Sequence, residues 1–104
     1  MEQFQRIGVV ARLEHPEVVD SLKRLVAFLR ADGRKVLAES KTAELLGNPD
    51  IEIISRRSIE STVDLVIVVG GDGSMLGAAR GLVNLNVPLL GLNRGRLGFL
   101  TDIH

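Results

Sequence analysis

The sequence predicts an α/β fold: a parallel sheet with flanking helices. Two observations carry this. Short, almost continuously apolar runs alternate with stretches whose apolar residues recur at helical spacing. The clearest run, Asp64-Leu65-Val66-Ile67-Val68-Val69, has the β-branched character of a central parallel strand covered on both faces. It ends abruptly in Gly70-Gly71-Asp72-Gly73-Ser74, and a helical pattern follows at once. Strand, glycine-rich turn, helix is the layout that brings backbone close to a phosphate. Glycine leaves room for the ligand, and the free N–H groups of a helix start point at an anion.

Arg6-Ile7-Gly8-Val9-Val10-Ala11 reads as a first buried strand. Arg12 follows it, on the ligand side of a parallel sheet, and is either a phosphate partner or a solvated loop arginine. A helix comes next. Pro16 is in its first turn, and Glu17 and Asp20 sit near the positive end of its dipole. Val18, Val19, Leu22, Leu25, Val26 and Leu29 form its stripe, Arg30 lies in the last turn, and Gly33 closes it. His15 has no Cys or His partner nearby and reads as a surface residue. Lys35 to Glu39 is the second strand, Thr42 to Gly47 a short helix stopped by Gly47-Asn48-Pro49, and Ile51 to Ile54 a brief strand. Arg56-Arg57 reads as a solvated turn.

Beyond the glycines, Met75, Leu76, Ala79, Leu82 and Val83 mark a helix, with small residues at Gly77, Ala78 and Ala79 that allow close packing on the sheet. Pro88-Leu89-Leu90-Gly91-Leu92 is the next strand. A second glycine loop, Asn93-Arg94-Gly95-Arg96-Leu97-Gly98-Phe99-Leu100, is expected directly after it. Two such loops after consecutive parallel strands emerge on the same sheet edge, where ligands bind. One brings an acid and free N–H groups. The other brings an amide, Asn93, and arginines at 94 and 96 that either meet phosphate or are solvated.

Asp72 sets this loop apart. A carboxylate in a phosphate cradle repels the phosphates unless a cation or a reacting hydroxyl lies between them. Asp72 is therefore a general base, a metal-side acceptor, or simply the N-cap of a tight strand-to-helix turn.

Bulk properties narrow the classes. The 104 residues suit one small domain, and 45 % hydrophobic with 25 % charged residues suits a globular chain. Thirteen Lys+Arg balance thirteen Asp+Glu, so charge gives no reason to expect nucleic acid or an anionic membrane as partner. Without Trp or Tyr, base stacking on aromatic platforms is not expected. The absence of Cys fits a reducing compartment. The first residues lack the pattern of a signal peptide, and no apolar run approaches the ~20 residues of a membrane span. A cytoplasmic location is expected.

Gly70-Gly71-Asp72-Gly73-Ser74, followed by the run from Asn93 to Asp102, resembles the amino-terminal domain of bacterial NAD kinases. The first motif also marks diacylglycerol and sphingosine kinases, with a related form in phosphofructokinases. The second run, at this distance and after a Gly-Leu-Asn strand end, is far more specific. The resemblance covers most of the chain and is strongest from Asp64 to Asp102. It implies a Rossmann-like lobe of a two-domain kinase, with residues 1–104 forming the nucleotide-binding domain and a β-rich second domain absent. It implies ATP-dependent phosphorylation of the 2′-hydroxyl of the NAD adenosine ribose, giving NADP, assisted by a divalent ion such as Mg²⁺.

By the same resemblance Asp72 accepts the hydroxyl proton. Asp72 and Gly73 contact the dinucleotide, Leu76 and Phe99 flank its adenine, and Gly70, Gly71, Ser74 and Asn93 complete the nucleotide site. The full protein is expected to be a homo-oligomer, and the 104-residue chain alone to have little or no activity. The chain departs from the family at Ser74, where Thr is frequent, and at Gly77, where some members carry a basic residue. The alternatives are the lobe of a lipid kinase, against which the Asn93–Asp102 run argues, and a non-catalytic nucleotide-binding module.

Overall fold

The computed structural model describes residues 4–11, 16–47, 50–70, 87–93 and 96–101. In chain order these form β1 (Arg6–Ala11), α1 (Pro16–Ala31), β2 (Lys35–Ala38), α2 (Ser40–Leu46), β3 (Glu52–Ile53), α3 (Arg56–Thr62), β4 (Leu65–Gly70), β5 (Leu89–Asn93) and β6 (Arg96–Thr101). The strands make one sheet in the order β3-β2-β1-β4-β5-β6. Strands β1 to β5 are mutually parallel, and β6 runs antiparallel to β5.

The alternation of side chains along a strand divides the core into two layers. Ile7, Val9 and Ala11 of β1 and Leu65, Ile67 and Val69 of β4 join Val18, Leu22, Val26 and Leu29 of α1. Ala43, Leu45 and Leu46 pack against this layer from α2 and its end. On the other face Val10, Leu37, Val66, Val68 and Leu89 meet Ile59 of α3 and Val63. Helices thus cover both faces of a parallel sheet, the Rossmann-like α/β arrangement expected from the sequence.

Helix α1 follows its punctuation. Val18, Leu22, Val26 and Leu29 are buried, while Val19 and Leu25 sit at the margin of the stripe. Its end is a Schellman turn. The Gly33 N–H donates to Arg30 O and the Arg34 N–H to Leu29 O, both at 3.0 Å, with Gly33 at φ 81°.

Two expectations are corrected. Arg56 and Arg57 are not a turn but open α3, a seven-residue helix. The second glycine loop does not run from Asn93 to Leu100, because Arg96–Thr101 is strand β6. That strand pairs along β5 from Asn93↔Arg96 to Leu89↔Thr101. The expected helix over residues 75–83 lies outside the described residues.

The amino edge of the sheet is clasped by polar groups. The N–H groups of Gln5 and Arg6 both donate to Asp64 Oδ2 at 3.0 Å, and Arg6 Nε donates to Thr62 O at 2.6 Å. The N–H of Arg6, then that of Gln5, hold the Asp64 carboxyl below its ordinary value of 3.8.

Two predictions follow from these contacts. At Gly33 a Cβ meets nothing within 4 Å, so the cost of a side chain is purely conformational. In urea denaturation Gly33→Ala loses about 1 kcal/mol, and Gly33→Asn, which tolerates the left-handed region better, loses less. For Asp64, a lowered folded pKa means that its contribution is fully present above the unfolded value and is lost as pH falls through the folded one. The urea midpoint should therefore decline as pH falls from about 4 downward, and Asp64→Asn should flatten that acid limb. An unchanged limb would dismiss the clasp.

Candidate functional site

All five parallel strands leave the sheet by their carboxyl ends at one edge. From β1 the chain moves outward to β2 and β3, then returns to β4 on the opposite side of β1. The switch point of this doubly wound sheet therefore lies between the carboxyl ends of β1 and β4. In doubly wound sheets the switch point is the place where a ligand crevice is expected.

The register fixes which strand ends meet there. Ala11, the last residue of β1, pairs with Val69. The next residue of β4, Gly70, pairs with Asn93, the last residue of β5. Neighbouring strands lie about 4.8 Å apart. The two motif-bearing segments thus begin side by side, one strand spacing apart. This is the convergence expected from two consecutive parallel strands.

Of the expected site residues, the structure describes Gly70 together with the backbones of Asn93 and Phe99. It brings Gly70 and Asn93 together. Phe99 stands elsewhere on the ladder, opposite Leu90 and three residue steps from the Asn93↔Arg96 pair, roughly 10 Å along β6. Arg96, whose role the sequence leaves open, stands directly across from Asn93. Gly71, Asp72, Gly73, Ser74 and Leu76 lie outside the described residues, as do Arg12, His15 and Arg94.

Thr42 was not singled out by the sequence. It is fully buried, and its Oγ1 accepts the Ala11 N–H at 3.0 Å, at the very end of β1. A lone threonine two residues into a short helix gives no distinctive signal. Only the tertiary contact does.

Among the described residues, the two carboxyls with lowered pKa belong to the scaffold. Asp64 serves the amino-edge clasp. Glu52 of β3 is held below its ordinary 4.5, first by the hydrogen bond from Lys35 and then by the same ammonium's charge, at a Lys35 Nζ to Glu52 Oε1 distance of 2.8 Å. Among the described residues no three His, Asp or Glu side chains gather as a metal site requires. No helix among them is long and apolar enough to cross a membrane.

Comparison with known proteins identifies the family. The family described as ATP-NAD kinase N-terminal domain matches residues 7–104. The chain belongs to the NAD kinase family. A curated NAD kinase of Hahella chejuensis is 52 % identical over 103 residues, covering 99 % of this chain and 35 % of the relative. NAD kinases of Pseudomonas fluorescens and Marinobacter nauticus are 50 % and 48 % identical over the same coverage. The chain thus spans about a third of the length of the curated NAD kinases it matches. Membership of the NAD kinase family agrees with the geometry, since a switch-point crevice in a doubly wound sheet is where such folds hold nucleotides.

Proposed function

We propose that this chain is the amino-terminal α/β nucleotide-binding domain of an NAD kinase, which uses ATP to phosphorylate the 2′-hydroxyl of the NAD adenosine ribose and so forms NADP. The observation that carries the reading is the family match over residues 7–104. The adjacency of Gly70 and Asn93 at the switch-point edge supports it.

In this reading the ribose oxygen attacks the γ-phosphorus, the bond to the departing ADP breaks, and Asp72 takes the hydroxyl proton. This gives the carboxylate the hydroxyl partner that a phosphate-lined loop otherwise denies it. Backbone N–H groups of Gly70, Gly71 and Gly73 and the Ser74 hydroxyl hold phosphate, Asn93 adds an amide, and Leu76 and Phe99 flank the adenine. Loss of a donor or of the base costs more here than in water, because a closed crevice lowers the local dielectric.

A divalent ion, Mg²⁺ in this reading, offsets the charge that develops on the transferred group. That ion would be carried mainly by the nucleotide phosphates, as Mg²⁺ commonly is. The groups that complete the site come from the further length that the relatives possess. The assembled enzyme is a cytoplasmic homo-oligomer with NAD and ATP as its small-molecule partners, and with neither nucleic acid nor membrane.

Two measurements test the proposal. In the full-length enzyme Asp72→Asn should lower kcat by roughly 10² to 10⁴-fold, the usual worth of a positioned base, with KM for NAD little changed. An unaltered kcat removes Asp72 from proton transfer and favours a non-catalytic module. The purified 104-residue chain should bind NAD weakly in calorimetry and show little or no turnover. Detectable turnover by it would overturn the claim that further chain is needed.

A further inference from the structure

The strands at the crevice end unevenly. Strand β2 closes at Ala38, opposite Val9, while β1 continues two residues further to Ala11. Peptide groups along a strand face its two neighbours alternately. Gln5 O accepts the Lys35 N–H from the β2 side, and Arg6 O accepts the Asp64 N–H from the β4 side, both at 2.8 Å. Continuing that alternation, the odd-numbered peptide groups of β1 face β2. The Ala11 N–H therefore points to a place that β2 no longer reaches, because the chain has already turned through Glu39 into α2.

Thr42 fills that place. Its Oγ1 accepts the Ala11 N–H at 3.0 Å, in a buried position. Thr42 is 0 % exposed and is the sole polar side chain of the core among the described residues. One hydroxyl substitutes for the missing strand at the last residue before β1 leaves the sheet on the ligand side. Ala11 is in turn paired with Val69, which precedes Gly70.

We infer that Thr42 is a positioning residue for the nucleotide crevice: its hydroxyl fixes the carboxyl end of β1 against β4 and thereby sets the crevice wall that the dinucleotide meets. The inference rests on the NAD kinase reading above. Removing the oxygen leaves a buried N–H with no acceptor, which strands satisfy only by shifting toward water. The shift would move the wall of the crevice. It would not remove the group that accepts the proton. Substrate binding should therefore suffer more than turnover.

The test uses Thr42→Val and Thr42→Ser in the full-length enzyme, with NAD phosphorylation kinetics and amide hydrogen exchange at Ala11. Valine keeps the branched shape and loses the acceptor, whereas serine keeps the acceptor. Thr42→Val should raise KM for NAD roughly tenfold, about 1.4 kcal/mol, leave kcat within about twofold, and speed exchange of the Ala11 amide. Thr42→Ser should restore both KM and protection. A folded Thr42→Val enzyme with unchanged KM overturns the inference and leaves Thr42 a scaffold residue. Rapid exchange of Ala11 in the unaltered enzyme overturns it without recourse to any variant. Protected Ala11 in an unaltered enzyme that does not phosphorylate NAD would instead sink the functional reading, and this inference with it.

Discussion

The pairing of β1 with β4 is the constraint from which the rest of the structure follows. Five consecutive pairs, from Ile7↔Leu65 to Ala11↔Val69, join two strands that are buried on both faces. Parallel direction forbids a short connection between them, so the chain must travel through helices that cover the sheet. Those helices remove apolar side chains from water, each worth about 1.5–3 kcal/mol when fully buried. That gain offsets the entropy of ordering a backbone that has few local contacts of its own. The same parallel direction delivers every strand end to one edge. The edge at which such folds hold ligands is thus set by the pairing that holds the core.

The two edges of the sheet are built from different chemistry. At the amino edge, side chains tie segments together: Asp64 to Gln5 and Arg6, Arg6 to Thr62, Arg34 to Asp32 and to Phe4 O, and Lys35 to Glu52. Most of these groups are solvated, so each adds little by itself, and their use is in fixing where the strands start. At the carboxyl edge the described contacts are backbone pairs, Ala11↔Val69 and Gly70↔Asn93, with one buried hydroxyl closing β1. Among the described residues, the side-chain ties between strand starts thus gather at the amino side.

Legibility in the sequence tracked how much each element depends on its own residues. Strand β4 and helix α1 were readable because their apolar patterns are long and locally punctuated. Helix α3 was not, because Arg-Arg-Ser-Ile-Glu-Ser-Thr has one apolar residue and hence no stripe. It is a helix because Ile59 plugs into the layer formed by Val66, Val68 and Leu89. Strand β6 was read as loop because Arg96, Gly98 and the preceding Gly95 look like turn residues. Its strand character comes from the ladder with β5, a partner that propensity does not register. For the site, the two glycine-bearing segments were legible as motifs and their shared edge as a consequence of parallel order. The direct pairing of Gly70 with Asn93 required the strand order itself, as did the role of Thr42.

The correction at β6 also changes what the second motif can contribute. As a long loop, Asn93 to Leu100 would have let any of its residues swing over the nucleotide. As a strand, it assigns fixed stations: Arg96 beside Asn93 at the edge, and Phe99 three steps inward opposite Leu90. A phosphoryl transfer needs a proton acceptor and compensation for phosphate charge in close reach of one another. Asp72 lies two residues beyond Gly70 in sequence, and Gly70 adjoins the pair made by Asn93 and Arg96. The antiparallel return of β6 thus sets Arg96 across from Asn93, beside the end of β4.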